Sequence, residues 1–353
     1  MSGGACAPTV GRVKGLKVAM LAPISWRVPP RHYGPWELVV SRLTEGLVER
    51  GVDVTLFATA DSMTSAHLDA VCPRPLSEDP SLDAKVWEAL HIGHAFEHAK
   101  DADILHNHYD FLPLTYSGLV DVPIVMTIHG FSSPRILPAY ERYADRVRFV
   151  AISDADRAPQ LPYAATIPHG IPFDEYPLGR GGGGYLLFFG RIHPDKGAAE
   201  AIDVARRAGL PLVIAGIVHD EAYFARDIEP HLDGERVRYV GSVGPADGAR
   251  LLGGAVALLQ LVNFDEPFGL SMIEAMATGT PVIGTARGSV PEVVDDGVTG
   301  YLVKDTAEAV AVIPRATALD RAAVRRRAAE RFSRERMVDA YLALYAKIVA
   351  GEA

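Results

Sequence analysis

From Leu16 onward, short apolar runs alternate with longer amphipathic segments, and the alternation is broken once, by glycines, before it starts again. Apolar runs too short for helices, separated by stretches able to cover them, mark parallel strands buried between crossover helices. An α/β fold follows. In the first half, strands are expected at Lys17–Ala22, Val52–Ala58, Asp103–His106, Ile124–Ile128 and Phe149–Ile152, with a short extended segment at Ala165–Pro168. Helices are expected at Trp36–Arg50, stopped by Gly51, and at Leu82–Ala99. Pro172 and Pro177 then lead into Gly179, Arg180 and Gly181 to Gly184, the clearest linker composition in the chain. Beyond it come strands Tyr185–Phe189, Leu212–Ala215, Val237–Val240, Ala255–Leu261 and Val282–Gly284. They alternate with helices Ala198–Ala208, Glu221–Leu232, Ala246–Leu252 and Gly269–Ala277, and a long helical tail covers Asp320–Val349. Two units of similar size imply two Rossmann-like domains facing across a cleft.

Length agrees, since 353 residues is two domains' worth. With 35 Lys and Arg against 44 Asp and Glu, the net charge of −9 argues against general nucleic-acid binding but leaves room for a small anion. Two cysteines, Cys6 and Cys72, make neither a disulfide framework nor a metal quartet. No apolar run is long enough to span a membrane, and Met1–Lys14 lacks the apolar core of a signal peptide. A cytoplasmic protein is expected. Three familiar chemistries lose support. The loop after the first strand carries no G-x-G-x-x-G, and neither a P-loop nor a G-x-S-x-G elbow occurs anywhere.

Two segments of the second half can carry chemistry. Gly190-Arg191-Ile192-His193-Pro194-Asp195-Lys196-Gly197 joins a buried strand to a helix, at the strand end where ligands bind in open α/β sheets. Arg191 and Lys196 there suit a diphosphate, one as a fork and one as a point charge. The alternative is a solvent-exposed turn with ordinary surface cations. In Asn263–Pro281, Pro267 and Gly269 put a helix start near Phe268, where free amides and the helix dipole favour an anion. Glu266 just before that start and Glu274 inside the helix can each accept from neighbouring sugar hydroxyls. Alternatively, they are a dipole partner and a surface residue.

Glu266 and Glu274 have the E-x₇-E spacing of the retaining glycosyltransferases of family 4, within the GT-B fold, and the surrounding Glu266–Leu270 and Glu274–Ala277 resemble that family's nucleotide-sugar signature. Gly190-Arg191 with Lys196-Gly197, Gly288–Val294 with Asp296–Gly300, Thr127–Gly130 and Ile167–Ile171 are similar to other pieces of the family, so the likeness spans nearly the whole chain. The resemblance implies that residues 1–176 form an acceptor-binding domain, with helix 334–353 packing back onto it, and that residues 177–333 bind the nucleotide sugar. It implies that Glu274 binds the ribose and Glu266 the donor sugar. The amides of Phe268, Gly269 and Leu270 would meet sugar and phosphates beside Gly190. Arg191 and Lys196 would hold the diphosphate, and His129 would reach the donor sugar. It implies transfer with retention of a hexose-type sugar to a hydroxyl of a glycan, lipid-linked glycan or small metabolite. No cofactor or metal is implied, because the nucleotide sugar is a co-substrate. Rival readings are a nucleotide-sugar epimerase and a non-catalytic sugar-nucleotide-binding protein.

One departure from the family concerns the acceptor side. In place of a Gly-Gly pair the chain has Tyr33-Gly34-Pro35-Trp36-Glu37, where Pro35 removes an amide and Trp36 adds a stacking surface. Trp26, Arg31, His32, Tyr33 and Trp36 either contact a sugar or polyol or anchor their loop. His106, Asn107, His108 and Asp110 end a strand, so His108 and Asp110 are candidate acceptor contacts or hydrogen-bonded loop anchors. Asp101-Ala102-Asp103 precedes a strand and Asp154-Ala155-Asp156 begins a helical stretch, so neither D-x-D is read as a metal site. His91, His94 and His98 share a helix face without a fourth ligand nearby in sequence and read as a partly exposed surface. The arginines at 321, 325, 326, 327, 331, 334 and 336 read mainly as a solvated face, so membrane contact is at most transient.

Overall fold

The structure, a computed structural model, describes residues 15–131 and 133–352. Cys6 and the Met1–Lys14 segment lie outside the described residues. The first unit holds strands Lys17–Leu21 (β1), Asp53–Phe57 (β2), His67–Asp69 (β3), Ile104–Asn107 (β4), Ile124–Ile128 (β5), Val147–Ala151 (β6) and Tyr163–Thr166 (β7). They form one parallel sheet in the order β3-β2-β1-β4-β5-β6-β7. Its helices are Pro35–Glu49 (α1), Ala84–His98 (α2) and Leu137–Tyr143 (α3). The second unit holds Leu186–Phe189 (β8), Leu212–Ala215 (β9), Val237–Tyr239 (β10), Ala257–Gln260 (β11), Val282–Thr285 (β12) and Gly300–Val303 (β13). These are parallel in the order β10-β9-β8-β11-β12-β13. Its helices are Ala198–Ala208 (α4), Glu221–Tyr223 (α5), Pro245–Gly254 (α6), Leu270–Ala277 (α7), Val290–Val293 (α8), Thr306–Thr317 (α9) and Arg321–Phe332 (α10), and Arg334–Val349 (α11) closes the chain.

Both sheets are buried on two faces, which is why their strands read as continuous apolar runs. In the first, Val39, Leu43 and Leu47 of α1 and Val338, Tyr341 and Tyr345 of α11 pack on one face, and Ile92, Phe96 and Tyr140 pack on the other. In the second, Leu252, Met272, Ile273, Met276 and Val324 cover one face, and Ile202, Ala205, Ala309 and Ile313 cover the other. Each strand order reverses at one point, between β1 and β4 and between β8 and β11. Ligands bind at the carboxyl ends of strands flanking such a reversal. The two Rossmann-like units thus turn their binding edges toward a common cleft, the GT-B architecture.

Several local expectations are corrected. Edge strands β3 and β13 and helices α3, α8 and α9 add to the expected elements. Glu221–Leu232 is not one helix: a single turn leads into a wide turn at Phe224–Ile228 and a tight one at Glu229–His231, where Pro230 supplies no amide. The tail breaks at Ser333, whose hydroxyl caps α11 through the Arg336 amide at 3.4 Å. There Ile171 clamps the crossing chain, donating to the Phe332 carbonyl and accepting from the Arg334 amide, both at 2.9 Å. The glycine run is no free tether. The Gly181 and Gly183 amides donate to the Gly253 and Gly254 carbonyls at 3.0 Å, and a Cβ at Gly179 would lie 2.1 Å from the Gly253 oxygen. Three of the tail arginines are half-buried staples. Arg321 donates to the Gly179, Gly253 and Ala255 carbonyls, Arg325 to those of Phe173, Tyr176 and Ala277, and Arg331 to those of Glu292 and Val293.

Candidate active site

A cleft of about 440 Å³ lies between the units. Its floor is fixed by contacts across the chain: Ser153 Oγ donates to the Pro267 carbonyl at 2.7 Å, and His169 meets the Phe268 ring edge-on at 4.9 Å. The cleft is lined by Gly190, Arg191, Lys196, Glu266, Phe268, Gly269, Leu270 and Glu274 on one side, and by Gly34, Trp36 and His129 on the other.

On the second unit, β8 delivers Arg191 and the following turn delivers Lys196. Gly197 ends that turn at φ 79°, where a Cβ would lie 1.9 Å from the Leu261 carbonyl oxygen at the end of β11. Only glycine brings the lysine this close to the neighbouring strand. Gly197→Ala is expected to cost about 2–5 kcal/mol, from left-handed strain plus collision with a backbone that cannot rotate away. A urea midpoint equal to wild type would contradict this.

Lys196 Nζ lies 2.7 Å from Glu266 Oε2 and 4.5 Å above the Phe264 ring. Gln260 Nε2 donates to the same carboxylate oxygen at 3.0 Å, and Gln260 Oε1 accepts from Ser271 Oγ at 3.2 Å. Gly288, at φ 55°, passes so close that a Cβ would sit 2.3 Å from the Glu266 nitrogen, and the Ser289 amide donates to the Glu266 carbonyl at 2.8 Å. Glu266 is therefore buried and pinned by both main chain and side chain. Helix α7 begins at Leu270, one residue after the expected Gly269, because Gly269 at φ 81° is its N-cap. Its first-turn amides still open on the cleft. One turn in, Glu274 accepts from Tyr176 Oη at 2.9 Å and from Arg42 Nη2 at 3.3 Å. Arg42 belongs to α1, so this largely buried ion pair joins the two units.

On the first unit, Trp36 stacks on His129 with ring centres 5.5 Å apart. His32 and Tyr33 also face the cleft, whereas Arg31 pairs with Asp61 and Glu78. His108 and Asp110 do not line it. His108 is fully buried behind His129, its Nδ1 2.9 Å from His129 Nε2, and Asp110 Oδ1 accepts from Tyr140 Oη at 3.1 Å. The imidazoles form a chain inward. His108 Nε2 lies 3.2 Å from His106 Nδ1, which meets Tyr345 Oη of α11 at 2.6 Å, while His106 Nε2 meets Thr127 Oγ1 at 2.8 Å. On the other flank, His129 Nδ1 lies 3.4 Å from His169 Nε2. Burial holds these rings neutral, pushing His129 down to about 3 and His106, His108 and His169 well below the ordinary histidine range.

Asp154-Ala155-Asp156 starts no helix. The Asp154 and Ala155 amides donate to the Glu292 carboxylate at 2.9 and 2.6 Å, tying the units together, while burial raises Asp156 to about 7. His91 is no surface residue either, being fully buried with Nε2 2.9 Å from the Ala22 carbonyl oxygen. Arg42, Tyr176 and Gln260 were missed by sequence reasoning. Nothing local to them distinguishes an arginine on an amphipathic helix, a tyrosine before a glycine run, or a glutamine ending an apolar strand.

Two family models match the chain, one described as glycosyl transferases group 1 over residues 177–331 and one as glycosyltransferase family 4 over residues 37–173. A glycogen synthase of Mycobacterium tuberculosis is 27% identical over 374 residues, covering 89% of each chain. A phosphatidyl-myo-inositol mannosyltransferase of the same species is 27% identical, covering 82% of each. The crystal structure of AviGT4, a glycosyltransferase involved in avilamycin A biosynthesis, superposes with a TM-score of 0.70 at 26% identity, over 95% of this chain and 98% of that one. Fold, cleft and likeness converge: the chain is an enzyme, a glycosyltransferase of the GT-B fold related to the group 1 and family 4 transferases.

Proposed function

We propose that this enzyme moves a hexose-type sugar from a nucleoside-diphosphate sugar to an acceptor hydroxyl with retention of anomeric configuration. The observation that carries the reading is the convergence, in one cleft, of Arg191, the Lys196–Glu266 pair at 2.7 Å, the open end of α7 and Glu274. Cations and free amides suit a diphosphate, and carboxylates on either side of it suit the hydroxyls of ribose and hexose. The Glu274 carboxylate exchanges its bonds with Tyr176 and Arg42 for ribose hydroxyls. Glu266 holds the hexose while Lys196 bridges it to the phosphates. Arg191 and Lys196 stabilise the charge that grows on the diphosphate as the glycosidic bond breaks. The acceptor oxygen attacks C1 from the face the diphosphate leaves, and its proton passes to the departing phosphate oxygen. No protein nucleophile is needed, so positioning and charge stabilisation are the protein's work.

The chain up to residue 176, with the closing helix from 334 on, binds the acceptor, and residues 177–333 bind the donor. His129, held by Trp36 stacking, meets the donor sugar from the acceptor side. Gly34 and Trp36 border the acceptor hydroxyl, which belongs to a glycan, a lipid-linked glycan or a small metabolite. Among the described residues no helix is long and apolar enough to cross a membrane.

A thermal-shift screen with UDP, GDP, ADP and dTDP sugars tests the donor. A hundredfold excess over Kd adds about 2.7 kcal/mol, a rise of a few degrees. The matching donor, incubated with acceptors, is expected to give a product of unchanged anomeric configuration by NMR. No shift with any donor, an inverted product, or conversion of the donor without an acceptor would contradict the proposal.

A further inference from the structure

Away from the cleft, edge strand β3 and helix α2 bring three metal-ligating side chains together. Asp69 Oδ1 lies 2.7 Å from His94 Nε2, and the rings of His94 and His98 are 4.0 Å apart, as i, i+4 neighbours on one helical face allow. One donor atom from each of the three lies within 4.8 Å of the others. None of the three lines the cleft. We propose that Asp69, His94 and His98 bind a divalent transition-metal ion of the zinc class.

The chemistry of the donors selects the ion. Two imidazoles and one carboxylate suit zinc and its neighbours, whereas magnesium takes an all-oxygen shell. The tautomers agree. His98 Nδ1 lies 2.8 Å from the His94 carbonyl oxygen, which can only accept, so the proton sits on Nδ1 and Nε2 keeps its lone pair. An imidazole oriented through its second nitrogen in this way is a common arrangement among metal-ligating histidines. His94 now donates from Nε2 to Asp69. With its proton carried on Nδ1 instead, both Nε2 and the Asp69 oxygen face the ion. Asp69 and His94 side chains are about a quarter exposed, at 25% and 23%, so an ion can enter while water completes its shell. The three-residue strand β3 pairs only with β2 and ends the sheet, and a shared ion would fasten this short edge to α2.

The test is calorimetric titration of tag-free, chelator-treated full-length protein with zinc chloride, and in parallel with magnesium chloride. One zinc per chain is expected, with no magnesium uptake. Asp69→Asn, which keeps the side-chain shape, and His98→Ala, at an exposed position, should each weaken zinc binding by about 10–100-fold or more. Zinc should raise the melting temperature of the wild type but not of these variants, whose metal-free melting matches the wild type. Absence of stoichiometric zinc uptake, or uptake unchanged in both variants, would overturn the proposal.

Discussion

Lys196→Ala is expected to lower kcat by about 10²–10³, or about 2.7–4 kcal/mol of barrier, the scale of one lost donor at a developing oxyanion. Among the described residues the ammonium meets the Glu266 carboxylate at 2.7 Å and the face of Phe264. Its loss would leave Glu266 buried with Gln260 as its remaining side-chain donor, and the diphosphate with Arg191 alone. Arg191→Ala should act on the same scale. Arg191 lies 3.7 Å from Asp195, a separation loose enough for the guanidinium to swing onto a phosphate. Steady-state kinetics with the matching donor, alongside melting curves that exclude unfolding, make the comparison. Near-normal turnover in either variant would remove that residue from the mechanism.

A second large effect is acid destabilisation. Burial depresses five imidazoles: His91 to about 4, His129 to about 3, and His106, His108 and His169 well below the usual range. A depressed histidine gives stability that is complete above the unfolded value near 6.5 and is lost as pH falls below it, because the unfolded chain then binds the extra protons. Glu37 and Asp156 oppose this. Burial raises each to about 7, so the native state holds their protons down to roughly pH 4, where unfolded carboxylates protonate too. Five imidazoles against two carboxyls leave a net of about three protons. At about 1.4 kcal/mol per proton, stability should fall toward acid by at most about 4 kcal/mol per unit between pH 6 and 4.5. Over that interval the loss is about 6 kcal/mol at most, a large part of the 5–15 kcal/mol that holds a typical fold, so the protein should be markedly less stable at the acid end. Glu37→Gln removes one opposing carboxyl and should steepen the fall by about 1.4 kcal/mol per unit. Denaturant titrations across the range measure both slopes, and a stability that stays flat to pH 5 would contradict the account.

What the sequence disclosed was whatever has a local pattern. The central strands are buried on both faces, so β1, β5, β8, β9 and β12 stand out as apolar runs close to their observed limits. The Gly190–Gly197 turn and the E-x₇-E helix lie within short segments whose glycines and prolines fix their shape, so Arg191, Lys196, Glu266 and Glu274 could be singled out. Edge strand β3 is only three residues long, and β13 opens on Gly300 directly after a turn, so neither stands out as an apolar run. The Arg42–Tyr176–Glu274 triplet joins positions 232 and 98 residues apart, and no spacing rule connects them. His106 and His108 look like site residues because they end a central strand. The same location, covered by Tyr341 and Tyr345 of a helix more than two hundred residues later, makes them an interior chain instead. Arginines 321, 325 and 331 look solvated because most of their partners are backbone carbonyls, which leave no trace in composition.

The central claim is that one cleft grips a nucleoside diphosphate and its sugar through different carboxylates. Calorimetric titration of Glu266→Gln with the nucleoside diphosphate and with its sugar conjugate tests it most directly. The variant should bind the bare diphosphate at least as tightly as the wild type does, since Lys196 is released from its partner. It should bind the sugar conjugate about 10–100-fold more weakly, the worth of a hydrogen bond to a charged group. Equal losses for both ligands, or no loss for the conjugate, would contradict the account.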